Sequence, residues 1–143
     1  TSTIIFLTIC AKDRRPIFDN ARMRDRLIAA WEKADGWRVG RYMIMPDHIH
    51  LFCSPADPNV SLQTWVRYWK SMVSRSRPSS GGTEPSTPKL FQRDFWDTQL
   101  RRGEHYSEKW AYVRENPVRA ELVKNNDDWP YQGEIHVLNW LAQ

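Results

Sequence analysis

His48 and His50, one residue apart in the stretch Tyr42-Met43-Ile44-Met45-Pro46-Asp47-His48-Ile49-His50-Leu51-Phe52, are the side chains best suited to do chemistry in this sequence. The flanking residues read as extended β structure. Side chains two positions apart on a strand share a face, so both imidazoles can reach one metal ion. An ordinary strand with two histidines on its polar side accounts for the same residues equally well, and a second half of the site is needed to decide.

The helix expected at about residues 104–116 offers that half. Tyr106, Trp110 and Val113 fall on one apolar stripe and read as core. Tyr112 lies off the stripe and shares its face with His105, Glu108, Lys109 and Asn116. A phenol on an otherwise polar face is either a stacking or surface residue, or a nucleophile facing something outside the core. Asn116 follows one turn later, where its amide oxygen can serve as a third metal donor. Asn116-Pro117 also reads as an N-cap followed by proline at the first position of a new helix through Val123.

These residues need a scaffold, and the rest of the pattern supplies one. Residues 4–9 are β-rich. Asn20 can cap a helix whose apolar positions Met23, Leu27, Ala30, Trp31 and Ala34 run up to Gly36. Two strands follow, roughly 37–45 and 48–53, with Pro46-Asp47 as the turn of a hairpin that carries the histidines. Asn59 or Ser61 opens the next helix, with Leu62, Trp65, Val66, Trp69, Met72 and Val73 on one face and Arg67, Lys70, Ser71 and Ser74 on the other. Trp65 and Trp69 read as core; the basic stripe is either a solvated face or a track for phosphates. Residues 77–89, rich in Pro, Ser and Gly, read as a flexible loop within a single domain spanning 1–143. Residues 90–100 read as a fourth strand. The βαββαβ order predicts an α+β fold: a ferredoxin-like, RRM-like antiparallel sheet with helices on one face, followed by the C-terminal tyrosine-bearing helix. The sheet's open face is where a site can lie.

Composition agrees with one globular domain. The chain has 143 residues, 41% of them hydrophobic, enough for one core. No apolar run reaches the length of a membrane span and none resembles a signal peptide, which leads us to expect a cytoplasmic protein; the absent initiator Met suggests trimming. Cys10 and Cys53, without Cys-x-x-Cys spacing, predict reduced, buried thiols rather than a disulfide framework or a cysteine zinc site. A net charge of +4, carried mainly by arginine and interleaved with eight tryptophans and five tyrosines, suits a single-stranded nucleic acid partner. It also suits a basic, aromatic-rich core protein with a solvated surface.

Taken together, MPDHIHLF (residues 45–52) and AYVRENPVRAELV (residues 111–123) resemble the single-tyrosine transposases of the HUH superfamily, specifically the REP-associated tyrosine transposases related to the IS200/IS605 group. The resemblance covers nearly the whole chain. It includes Leu7-Thr8 and Arg14-Arg15-Pro16-Ile17-Phe18 at the opening, FWDTQLR at residues 95–101, and DDWPY at residues 127–131. It implies His48 and His50 as ligands of a divalent metal, Mg2+ or Mn2+ in use, and Tyr112 as the nucleophile. Asn116 matches a metal-donor position that varies among relatives.

The activity implied is metal-dependent single-stranded DNA cleavage and strand transfer through a 5′-phosphotyrosine intermediate. Because the phosphodiester is retained in that intermediate, rejoining needs no ATP. The implied substrate is a REP-type hairpin with a guide tetranucleotide at its foot, met at the bacterial nucleoid by a monomer or homodimer. Arg14, Arg15, Arg67, Lys70, Arg101, Arg102 and Arg119 are the nominated DNA contacts. Two rivals remain: a non-catalytic RRM-like nucleic-acid binding module, against which no RNP-like aromatic pair is evident, and a metal-dependent phosphodiesterase in which water attacks.

Overall fold

Alternation along β1 (Ile4–Cys10) sends Ile5, Leu7 and Ile9 to one side and Ile4, Phe6 and Thr8 to the other. The strand therefore needs cover on both faces. In the computed structural model, which describes residues 3–75, 89–101 and 103–139, it lies inside a five-stranded antiparallel sheet. The other strands are β2 (Trp37–Ile44), β3 (His48–Pro55), β4 (Trp96–Leu100) and β5 (Gln132–Glu134), in the order β4-β1-β3-β2-β5. The first four strands have the expected ferredoxin-like arrangement.

Two helices cover the first face. α1 (Ala21–Lys33) begins where expected, because the Asn20 side chain accepts the Met23 amide at 2.8 Å. It buries Met23, Leu27, Ala30 and Trp31. α2 (Leu62–Arg75) is capped by Ser61, whose hydroxyl accepts the Thr64 amide at 3.1 Å, so of the two candidates Ser61 holds the cap. Trp65 and Trp69 are core, and Cys53 lies in the same cluster. Both cysteines are free and buried.

The opposite face is covered by α3 (Gly103–Arg114), whose Tyr106, Trp110 and Val113 pack with Ile4, Phe6, Met43 and Phe52. The tyrosine helix thus lies across the sheet from the other two. Its approach depends on a defect in β2, where the register shifts between Val39 and Tyr42. A Cβ on Gly40 at this bulge would lie 2.6 Å from the Tyr106 hydroxyl and 2.7 Å from the Leu138 side chain.

The fold departs from the sequence reading in three places. The fourth strand begins at Trp96 rather than near residue 90, because Phe91 pairs in isolation with Ala11 and turns into the α1–α2 core. α4 (Asn116–Arg119) does carry proline in its first turn, but its N-cap is Glu115 and it stops well short of Val123. The chain reverses at Glu121, which has a left-handed φ of 60°. β5 was not anticipated; three residues with a central glycine carry too little pattern to announce a strand. Of the loop expected at 77–89, residues 77–88 lie outside the described residues.

Candidate active site

The hairpin turn at Pro46-Asp47 starts β3 so that His48, His50 and Phe52 face α3, while Ile49, Leu51 and Cys53 enter the opposite core. The two rings meet edge to face with centroids 4.8 Å apart. Each has a partner on Nδ1. His48 Nδ1 donates to Asp47 Oδ1 at 2.7 Å, and His50 Nδ1 lies 3.0 Å from Thr8 Oγ1. The Asp47 carboxylate can only accept, so His48 Nδ1 carries the proton and its Nε2 keeps the lone pair a metal ligand requires, while Thr8 fixes the orientation of the His50 ring. Burial, with the nearby charges of His48 and Lys109, holds the His50 imidazole down to about 3, so at neutral pH it is uncharged. Phe6 stacks on it at 5.1 Å.

Asp47 is itself anchored. Its second oxygen accepts from Arg14 Nε at 2.9 Å. Burial alone would raise the Asp47 carboxyl, but the hydrogen bonds from His48 and Arg14 outweigh it and hold the group below its ordinary range. Arg14 reaches this position through a strained turn, in which Asp13 and Arg14 adopt φ values of 58° and 54°. Left-handed backbone costs a non-glycine residue about 1–2 kcal/mol, and here it aims a guanidinium at the aspartate that orients a histidine.

Tyr112 is 61% exposed on the outer face of α3, whereas Tyr106 is 9% exposed and its hydroxyl accepts the Arg41 amide at 3.1 Å. The two tyrosines therefore divide as the helical stripe predicts. Lys109 links Tyr112 to the histidines: its ammonium lies 4.8 Å from the Phe6 ring centroid and 5.7 Å from that of Tyr112. Arg119 lies nearer still, 4.1 Å from the Tyr112 ring centroid, with a hydrogen bond to the Tyr112 carbonyl at 2.7 Å. Arg119 also donates to Asn116 Oδ1, the atom that would ligate a metal. Sequence reasoning missed Lys109 as a site residue, although it shares the polar face of Tyr112; the residue that singles it out, Phe6, is distant in sequence.

The donor set fits a divalent ion in part. Two imidazole Nε2 atoms with oriented Nδ1 partners are suitable ligands, and among the described residues no cluster of three His, Cys, Asp or Glu side chains offers another site. Asn116, the third donor expected from the sequence, has its Oδ1 held by Arg119.

The nominated DNA contacts are scattered. Arg14 and Arg119 belong to the site. Arg15 reaches the Lys12 and Lys89 carbonyls. Arg67 and Lys70 line a cavity of about 860 Å³ behind β4, on the α2 side of the sheet. Lys70 is turned inward, donating to the Gln92 carbonyl at 3.0 Å between the rings of Phe91 and Phe95. Arg101 is exposed at the end of β4, and Arg102 lies outside the described residues. An aromatic pair does occupy the central strands, Phe6 opposite Phe52, but both rings are buried beneath α3 and unavailable to bases.

No described helix is long and apolar enough to cross a membrane. The solved structure of a REP-associated tyrosine transposase bound to a REP hairpin superposes with a TM-score of 0.72 at 20% identity, covering 90% of this chain and 74% of that one. A transposase crystal structure from Deinococcus radiodurans gives 0.56 at 16% identity, covering 80% and 91%. In sequence, the chain is 26% identical over 110 residues to a Haemophilus influenzae protein assigned as a REP-associated tyrosine transposase, a match spanning 68% of this chain and 62% of that protein. It is 20% identical over 128 residues to the REP-associated tyrosine transposase of Escherichia coli, spanning 88% and 73%. The model of the family described as "Transposase IS200 like" matches residues 1–114, most of the chain, and the protein belongs to that family.

Proposed function

We propose that this chain is a single-stranded DNA endonuclease and strand transferase, with Tyr112 as nucleophile and His48, His50 and Asn116 as ligands of Mg2+ or Mn2+. The observation that carries the reading is the histidine pair: two imidazoles in contact, each held by a partner on Nδ1, on the sheet face overlain by the tyrosine helix. When bound there, the divalent ion supplies polarisation of the scissile phosphodiester and offsets its developing charge.

The remaining work falls to the protein. A protonated phenol is a poor nucleophile, so Tyr112 must lose its proton, to water, before or during attack. Its oxygen bonds to phosphorus in line as the bond from phosphorus to the 3′ oxygen breaks. The departing 3′ oxygen takes up a proton and becomes the free hydroxyl of the upstream fragment, while the downstream strand stays on Tyr112 through its 5′ phosphate. Lys109 and Arg119 both lie close to the ring, where they balance the negative charge that phenolate and phosphate bring together. The reverse attack by a DNA hydroxyl completes strand transfer.

The hairpin-bound relative supports a REP-type hairpin as the substrate, and to it the proposal adds an unpaired guide tetranucleotide at the hairpin's foot. Incubation with such oligonucleotides, then denaturing electrophoresis, tests the reading. A DNA adduct that survives boiling and maps to Tyr112 is expected, and Tyr112→Phe, His48→Ala, His50→Ala or excess EDTA should each abolish it. Cleavage without an adduct would assign attack to water; full cleavage in EDTA would remove the catalytic ion.

A further inference from the structure

Trp96 is 60% exposed, and its place in the sheet sets it apart from a stray surface aromatic. Thr8 is paired on one side with Trp96 and on the other with His50. Residues directly opposite in an antiparallel ladder share a face, and Thr8 directs its hydroxyl to His50 on the α3 face. Trp96 therefore projects on that face as well. The rest of β4 agrees: Leu100, four residues on, is buried in the α3-side core, while Asp97 lines the cavity on the α2 side. Two strand spacings put the Trp96 backbone about 10 Å from that of His50.

Burying a tryptophan is among the larger apolar gains open to a fold, yet this one is left mostly in water at an edge strand beside the histidines. Lys109 and Arg119 supply positive charge at the same site, and the side chain between Trp96 and Leu100 on this face, Thr98, is small and exposed. A flat ring on an open shelf next to cations is the arrangement that holds unpaired bases, since every base offers a π-face. The buried Phe6–Phe52 pair cannot take that role.

We propose that Trp96 is a stacking platform for an unpaired base flanking the scissile phosphate, a positioning residue that keeps the single strand extended across the site. The assignment rests on the reading of this chain as an enzyme of single-stranded DNA. It places strand selection partly on β4, because a base locked in a duplex presents no free face to the indole.

The test uses the full chain carrying Tyr112→Phe, which prevents turnover, and hairpin oligonucleotides whose flanking bases are replaced singly by abasic sites. Affinity is measured for each, with and without Trp96→Ala. At one flanking position, either the abasic site or Trp96→Ala should weaken binding about tenfold to a hundredfold, and the two losses should not add. Trp96→Phe should retain most of the affinity, and the thermal midpoint of Trp96→Ala should match that of its parent. In the Tyr112 enzyme, the same substitution should lower adduct yield at limiting DNA. Additive losses at every position, or unchanged affinity in Trp96→Ala, would overturn the platform. If the wild type binds the flanked hairpin but forms no adduct, the catalytic reading fails while the abasic series still decides the role of Trp96. Binding of no oligonucleotide by the wild type would overturn both.

Discussion

At the scale of single residues, the site depends on partners that hold its reactive atoms in one state. Thr8 is the clearest: its hydroxyl meets Nδ1 of His50 at 3.0 Å and orients the ring. Thr8→Val keeps the shape and removes that contact, so metal affinity measured by calorimetry should fall about 10- to 100-fold. Unchanged affinity would show that the buried imidazole needs no orienting partner. Lys70 gives a separate handle away from the histidines. Burial lowers its ammonium from 10.5 to about 8. Between those values the unfolded chain binds more protons than the folded one, so stability should rise with pH from about 8 toward 10.5, as the folded state no longer carries a buried charge. Denaturant unfolding across this range should show that slope in the wild type and a flatter one in Lys70→Gln; parallel curves would contradict it.

At the scale of elements, α3 separates packing from chemistry around its own circumference. Trp110 is 8% exposed against Phe52 and should cost about 3–5 kcal/mol when cut to alanine. Tyr106→Phe leaves the Arg41 amide without its acceptor and should cost about 1–3 kcal/mol by denaturant unfolding. Tyr112→Phe should leave the unfolding midpoint unchanged. This division was legible in the sequence because helical periodicity alone separates Tyr106 from Tyr112. The alternation of β3 likewise placed both histidines on one face, and the capping residue Asn20 marked the start of α1. What was not legible depended on contacts between distant segments. Phe91 leaves the strand pattern because the α1–α2 core accepts its ring, and Glu115 displaces Asn116 as cap because the backbone continues helically through the junction of α3 and α4. Trp96 carried no signal until the register put it beside Thr8.

At the scale of the whole molecule, the described basic residues do not form one track. Arg14, Lys109 and Arg119 gather around the histidines, while Arg67 and Lys70 lie behind β4 on the other side of the sheet. A hairpin with an unpaired flank offers a free base to Trp96 on the β4 edge, whereas a fully paired duplex of the same sequence offers none. Duplex DNA should accordingly bind far more weakly at equal salt, and the hairpin's affinity should fall with a steeper salt slope because more phosphates are neutralised. Equal affinities and slopes in fluorescence anisotropy would count against this preference. The bulge in β2 adds one more consequence. With no Cβ at Gly40, the Tyr106 hydroxyl settles directly onto the strand and α3 sits low over the histidines. Gly40 is thus a gauge block for the candidate site: its missing methyl sets the clearance between the helix that carries Tyr112 and the sheet that carries His48 and His50, and any side chain added there would be read out as a change in height at residues it never touches.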